Sequence, residues 1–357
     1  MRRKKPFRIL KLILRTIVIT AAAAIAVSYL SIFINPQITA IPLFFGLYFI
    51  PLLSLNIVLL IIGFIRKSKI LWITFAALLP ALLFTDLFVR WGEKATGEDG
   101  LTLKICTYNV GAFSHAKEGR SRDATSSDIR KFIIGQSPDI ICFQEYYATD
   151  TISFPELFPG YRYLYHHLFR ARNGAFVGNV ILSRYPIRDG GKILFEKSTN
   201  LCIYADIDLP DKTIRIYNAH LESHGISFTT LIKKLRESRN MTVDIYEVHD
   251  KMAGTFRKRA TQVDIITEHS KNAPCPSIIC GDFNDTPISY TYHRLTNGKR
   301  DSFKQAGKGF SATYSVFWPL LRIDYILYPE PFWSSLHTTP QIAHSDHYPV
   351  IVEVVVL

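Results

Sequence analysis

Six short polar clusters, each at one end of an apolar run, hold the residues of this 357-residue chain that could do chemistry. They are Asn109; Gln144-Glu145; Asn218-Ala219-His220; Asp282-Phe283-Asn284; Asp324, within Arg322-Ile323-Asp324-Tyr325; and Ser345-Asp346-His347, just before the last run. Carboxylates at buried strand ends cost desolvation energy unless a cation or hydrogen bonds compensate. Several oxygen donors converging on one rim suit a hard divalent cation. A single strand-end Asn or Asp is usually a turn former or cap, so the case rests on the set.

The runs that must position these clusters read mostly as strands. Residues 103–109 alternate as a half-buried strand; 140–143, 177–182, 202–207, 213–217, 277–280, 323–327 and 350–356 are further β-rich runs. Ile129, Phe132 and Ile133 show helical spacing behind a Ser126-Ser127 cap signal, and 251–270 is a long helical stretch before the 277–280 run. Strands outnumber helices in a mixed order, which predicts an α/β or α+β domain of layered sheets rather than strict βαβ alternation.

Taken in order, Thr107-Tyr108-Asn109, Phe143-Gln144-Glu145, Asn218-Ala219-His220-Leu221, Gly281-Asp282-Phe283-Asn284, Arg322-Ile323-Asp324-Tyr325 and Ser345-Asp346-His347-Tyr348-Pro349-Val350 resemble the motifs of the endonuclease/exonuclease/phosphatase superfamily, the DNase I-like group. The resemblance covers about residues 103–355. It implies two packed β-sheets flanked by helices and a phosphoester hydrolase dependent on Mg²⁺ or Mn²⁺. It assigns Glu145, with Asn109 and Asp346, to the metal, in keeping with the one or two carboxylates that Mg²⁺ prefers. Asp282 resembles the residue that orients or deprotonates the attacking water, with Asn284 beside it. His347 resembles the catalytic histidine facing the scissile phosphate, oriented by Asp324, and His220 a second donor to that phosphate. Asn218 and, in a looser match, Asn179 of Gly178-Asn179-Val180 fall to the substrate side, although Asn179 reads equally well as structural.

Residues 1–95 have a different character. They hold 12 of the 42 Lys and Arg and only 2 of the 30 Asp and Glu, so +10 of the formal +12 sits there and the remainder carries +2. The excess flanks apolar spans, so the basic balance is weak evidence for nucleic acid. Three nearly uncharged stretches, 16–34, 40–65 and 70–89, approach the ~20 residues that span a bilayer. They predict a three-helix membrane anchor over 1–90, a linker over 91–100 and a catalytic domain over 101–357. A cleaved signal peptide followed by a buried hairpin is the alternative, but signal h-regions are shorter and stand alone. Arg2, Arg3, Lys4, Lys5, Arg8, Lys11 and Arg15 precede the first span and Arg66, Lys67 and Lys69 separate the second from the third. Positive-inside logic then puts the N-terminus in the cytoplasm and, after three crossings, the catalytic part on the periplasmic or extracellular face. Asp86 is the weak point, since an interfacial third helix would reverse that outcome.

Five cysteines show no metal-site spacing and no disulfide-scaffold density, and they read as small core residues. Lys233, Lys234, Arg236 and Arg239 read as a solvated helix face. The stretch 222–257, carrying Phe228, Leu231, Ile232 and Tyr246, is the expected specificity element, and His115, His166, His167 and His293 receive no role. The function expected is hydrolysis of a lipid headgroup or small phosphoester at the bilayer. The alternatives are a membrane-anchored nuclease acting on DNA or RNA and, from another class, a retired binding module, against which all six clusters keep competent side chains.

Overall fold

The computed structural model describes residues 4–92, 97–114, 121–149, 154–171, 174–223 and 241–357. The Lys233, Lys234, Arg236 and Arg239 cluster, Phe228, Leu231, Ile232 and His115 lie outside the described residues. In chain order the strands are β1 Val89–Trp91, β2 Leu101–Asn109, β3 Ile140–Ala148, β4 Tyr163–Arg170, β5 Phe176–Ser183, β6 Ile187–Leu194, β7 Leu201–Asp208, β8 Thr213–His220, β9 Ser277–Asp282, β10 Lys299–Asp301, β11 Lys308–Phe310, β12 Asp324–Pro329, β13 Trp333–Thr338 and β14 Val350–Val356.

Twelve of them build two six-stranded mixed sheets, ordered β13-β14-β2-β3-β5-β4 and β10-β12-β9-β8-β7-β6. Side chains alternate between the faces of a strand, and that period sorts the core. Leu103 and Ile105 of β2 join Ile140 and Cys142 of β3, Ile214 and Ile216 of β8 and Ile278 and Cys280 of β9 between the sheets. The intervening Cys106 and Tyr108 face Ile129 and Ile133 of the Arg122–Gln136 helix on one outer side. Ile279 faces Val263 and Ile266 of the Met241–Lys271 helix on the other. The layered, helix-flanked sandwich expected from the sequence is therefore present. The first helix begins four residues before the expected cap, because Ser121, not Ser126, accepts from the backbone of Ala124. All five cysteines are free, and all but Cys275 are buried.

The N-terminal part is helical but not three clear spans. Ile9–Ile32, at 24 residues, is long and apolar enough to cross a membrane. The second stretch breaks by 71° between the helices Ile41–Leu47 and Phe49–Ile65. Pro51, in the first turn of the latter, has no N–H and would clash with the carbonyl four residues back in a continuous helix. The third divides at Pro80 into the α-helix Leu71–Leu78 and the 3-10 segment Leu79–Leu87. Asp86 pairs with Lys304 of the sandwich at 3.1 Å, so it need not sit bare in an apolar span. Residue 91, expected in a linker, instead ends β1, which pairs antiparallel with β11.

The helices also dock on the sandwich. Ile25, Ile32 and Phe49 share one cluster with Phe283, Ile288 and Tyr325. The buried Ser31 hydroxyl donates to the Ile288 carbonyl at 2.8 Å, and Asn35 Nδ2 donates to the Tyr290 hydroxyl at 3.2 Å.

Candidate active site

Strand direction brings the six clusters together. β2 runs parallel to β3, and β8 parallel to β9, so Asn109, His220 and Asp282 end their strands at one rim of the sandwich, with Gln144 paired to Asn109 where β3 runs on past that rim. β12 runs antiparallel to β9 with Asp324 opposite Asp282, so its first residue lies at the same rim. The period of two then aims the side chains: Asn109 continues the inward series of Leu103 and Ile105, and Asp282 that of Ile278 and Cys280. They meet across the sheets, Asn109 Nδ2 donating to Asp282 Oδ2 at 2.9 Å. Gly281 makes this possible. Its φ is +135°, and a Cβ there would lie 1.9 Å from the Ala219 carbonyl oxygen of the neighbouring parallel strand.

Glu145 is the exception to the alternation. Following inward Gln144, it should point away from the rim. Instead a bulge between Phe143 and Tyr146 and a left-handed φ of +51° turn it back, and Asn109 Nδ2 donates to its Oε1 at 3.2 Å. No hydrogen bond reaches its Oε2 from the described residues, and its side chain remains 38% exposed. A half-open carboxylate with one oxygen to spare, held in strained backbone, suits a hard divalent cation.

Asp282 is buried and its carboxylate is hydrogen-bonded throughout. Asn284, itself at φ +52°, donates to Oδ1 from its backbone N at 2.8 Å and to Oδ2 from its amide at 3.1 Å. Burial raises the Asp282 pKa, a shift that the His347 charge opposes, Asp324 adds to, and His220 and the Asn109 hydrogen bond oppose in turn. Two imidazole nitrogens flank Asp282 Oδ2: His220 Nε2 at 3.8 Å and His347 Nε2 at 3.7 Å. His220 Nε2, also 3.6 Å from Glu145 Oε1, is buried without a hydrogen-bond partner.

His347 is placed by its neighbours. Its backbone N donates to Ser345 Oγ, and Ser345 in turn donates to the Asn109 carbonyl. Its Nδ1 lies 3.0 and 3.2 Å from the two oxygens of Asp324. Burial works against the charged ring, yet Asp324 first, then Asp282 and Asp346, carry its pKa up to about 10. Asp282, Asp324 and His347 lie close enough together to hold a metal ion. His347 Nδ1 is already engaged by Asp324, whereas Glu145 is the more open carboxylate at the rim.

Asp346 is half-exposed, and Ser315 donates to its carbonyl from both N and Oγ at 2.8 Å. Its charge, with those of Asp282 and Glu145, reaches the Tyr314 hydroxyl, whose pKa is pushed up to about 12, chiefly by burial. Tyr314 bridges His347 through the backbone, with ring centroids 5.3 Å apart. Nothing in the sequence singled out Tyr314, since it acts through neighbours distant along the chain; Ser345 and Gly281 lay within the quoted motifs, but without a role of their own.

The substrate-side pair has a different place. Asn218 is fully buried, and its amide donates to the carbonyls of Phe143 at 2.9 Å and Val180 at 3.0 Å while its Oδ1 accepts from Gln144 at 2.7 Å. With both amide hydrogens committed between the sheets, Asn218 is a clamp and not a substrate contact. Asn179 donates to the carbonyls of Leu201 and Asn218, also fully buried, and its Oδ1 is unpartnered. The alternative structural reading of Asn179 is the one this geometry matches.

Comparisons with known proteins agree with the architecture. The endonuclease/exonuclease/phosphatase from Beutenbergia cavernae superposes with a TM-score of 0.52 at 17% identity, over 71% of this chain and 72% of that one. D. rerio TDP2 complexed with single strand DNA product gives 0.51 at 15% identity, over 71% and 99%. At such identities the likeness concerns the fold. The CCR4-Not complex 3'-5'-exoribonuclease subunit of Yarrowia lipolytica is 24% identical over 216 residues, 48% of this chain but only 29% of that protein. A Domain of unknown function (DUF8431) matches residues 10–86. The model of the Endonuclease/Exonuclease/phosphatase family matches residues 106–347, more than half of the sequence and all six polar clusters, and the chain therefore belongs to that family of generally divalent-metal-dependent phosphoesterases and nucleases.

Proposed function

We propose that the protein is a membrane-tethered phosphoester hydrolase using Mg²⁺ or Mn²⁺, held by Glu145 with Asn109 and Asp346. When bound, such an ion supplies a Lewis acid for a phosphoryl oxygen. The observation that carries the reading is the pair of histidine Nε2 atoms that stand 3.7 and 3.8 Å from Asp282 Oδ2. Asp282 is the base for the attacking water, its basicity raised by burial and its orientation set by Asn284 and Asn109. His347, kept cationic by Asp324, faces the phosphate where negative charge develops. His220 gives its unpartnered Nε2 to a non-bridging oxygen.

The substrate we favour is a lipid headgroup or small phosphoester. The part beyond residue 95 carries only +2, little for the counterion release that drives binding to duplex DNA. The N-terminal helices would keep this part at high effective concentration near headgroups, with the N-terminus cytoplasmic and the sandwich outside. A nuclease is the second reading, favoured by the exoribonuclease relative. Assays of the detergent-solubilised chain on phospholipids, small phosphoesters, RNA and plasmid DNA separate the two. Turnover of lipid or small esters with weak salt dependence supports the first reading; efficient plasmid nicking that collapses between about 50 and 200 mM salt overturns it.

A further inference from the structure

An exposed apolar edge runs from the end of the N-terminal helices to the catalytic histidine. The last apolar segment stops at Leu87, and β1 follows at once with Trp91, 90% exposed. β1 pairs with β11, placing Val89 opposite Phe310 and Trp91 opposite the exposed Lys308, with strands ~4.8 Å apart. Phe310, 55% exposed, contacts the Trp318 ring at 6.3 Å, and Trp318 is exposed together with Val316 and Leu320. The same loop begins at Tyr314, whose ring lies 5.3 Å from that of His347, and Ser315 holds the Asp346 carbonyl. A few short contacts thus connect the point where the chain leaves its apolar segment to the site.

Large apolar side chains gathered in one exposed patch mark an interaction surface. Tryptophans mixed with lysine at the end of an apolar helix are the composition of a bilayer interface, where indole rings sit at headgroup depth and lysine meets anionic lipid. We propose that residues 308–320, with Trp91, form an interfacial surface that seats on the bilayer carrying the N-terminal helices and presents phosphoesters of the headgroup layer to His347. The proposal rests on the membrane-tethered phosphoester reading above. It commits to lipid as the occupant because β1 continues the chain's own apolar segment and β11 pairs with it.

The test uses the full chain reconstituted in vesicles of phosphatidylcholine with phosphatidylglycerol. Trp72→Phe, Trp91→Phe and Trp333→Phe leave Trp318 as the sole indole. Lipids brominated near the headgroup end of the acyl chain should quench its emission more than lipids brominated at the chain end, and acrylamide quenching should fall severalfold relative to the detergent-free unfolded chain. Emission unaffected by brominated lipid and open to acrylamide overturns the proposal. Turnover of soluble bis(p-nitrophenyl) phosphate by the same protein separates the two ideas. Turnover without lipid quenching sinks the docking surface alone, whereas quenching without turnover in Mg²⁺ or Mn²⁺ upholds the surface and removes the hydrolase reading. A melting temperature matching the parent's confirms that the three substitutions left the fold intact.

Discussion

Asp324, the first residue of β12, and His347, in the loop before β14, are both buried and meet at 3.0 Å across the rim, and the carboxylate favours the charged imidazole. A raised pKa of about 10 means that the cation is present below that value and is lost as pH rises through it. We expect His347→Ala to lower kcat by ~10²-fold or more, as for other preorganised charge-stabilising groups. Asp324→Asn should cost less and should move the alkaline limb of the kcat profile to lower pH. A His347→Ala variant within a few-fold of the parent, or a limb that stays put in Asp324→Asn, would remove the pair from the mechanism.

Glu145 sits in backbone that costs of order 1–3 kcal/mol, a cost that a ligand can justify. Turnover should vanish in excess EDTA and return with Mg²⁺ or Mn²⁺. In Glu145→Gln the metal should no longer raise the melting temperature, because an ion stabilises the native state only where it binds. Full activity in chelator would sink the metal assignment.

Asn218 joins the two sheets through three hydrogen bonds. Asn218→Leu keeps the branched shape but removes the amide donor from two buried carbonyls, at ~1–3 kcal/mol for each group left unsatisfied, while the Gln144 amide keeps Thr107 and the Cys142 carbonyl. Denaturant unfolding should show a loss of roughly 2–5 kcal/mol. Unchanged stability together with a large rise in KM would instead restore the substrate role expected from sequence.

Far from the site, His337 is buried against Phe303, with Ser302 at its Nδ1. Burial lowers its pKa to about 4; the nearby Asp301 opposes this shift and Arg322 reinforces it. The fold holds the ring neutral while the unfolded chain protonates near its ordinary value. Stability from this residue is therefore complete above about pH 6.5 and lost as pH falls toward 4, by up to ~3 kcal/mol. His337→Gln should flatten the melting temperature over that window relative to the parent. Parallel pH curves for the two proteins would contradict the assignment.

Topology offers a separate check. If, as proposed, the basic N-terminus is cytoplasmic and the chain crosses three times, a reporter fused after Leu357 should behave as exported. A cytoplasmic signal would mean that the short Leu71–Leu87 segment does not cross.

Much of the site was legible because period-two alternation and strand-end position are local properties. Asn109, His220, Asp282, Asp324 and His347 could be picked out from apolar runs that end in polar residues, and the structure brings all five to one rim. The edge strands β4, β6, β10 and β13 escaped notice because an edge is only half covered, and runs such as Ile187–Leu194, with two glycines and three charges, carry little apolar signal. The aim of Glu145 was hidden for another reason: a bulge depends on the register of β3 against β5, which no short window contains. The same holds for Asn218, whose chemistry suits a substrate contact until the opposite sheet claims its amide. The resemblance of the six motifs pointed to the family, and residue types and their spacing by themselves determined the layered fold and which side chains could do chemistry. Only the tertiary structure decided which of them face one another, because contacts across two sheets are set by non-local register and packing.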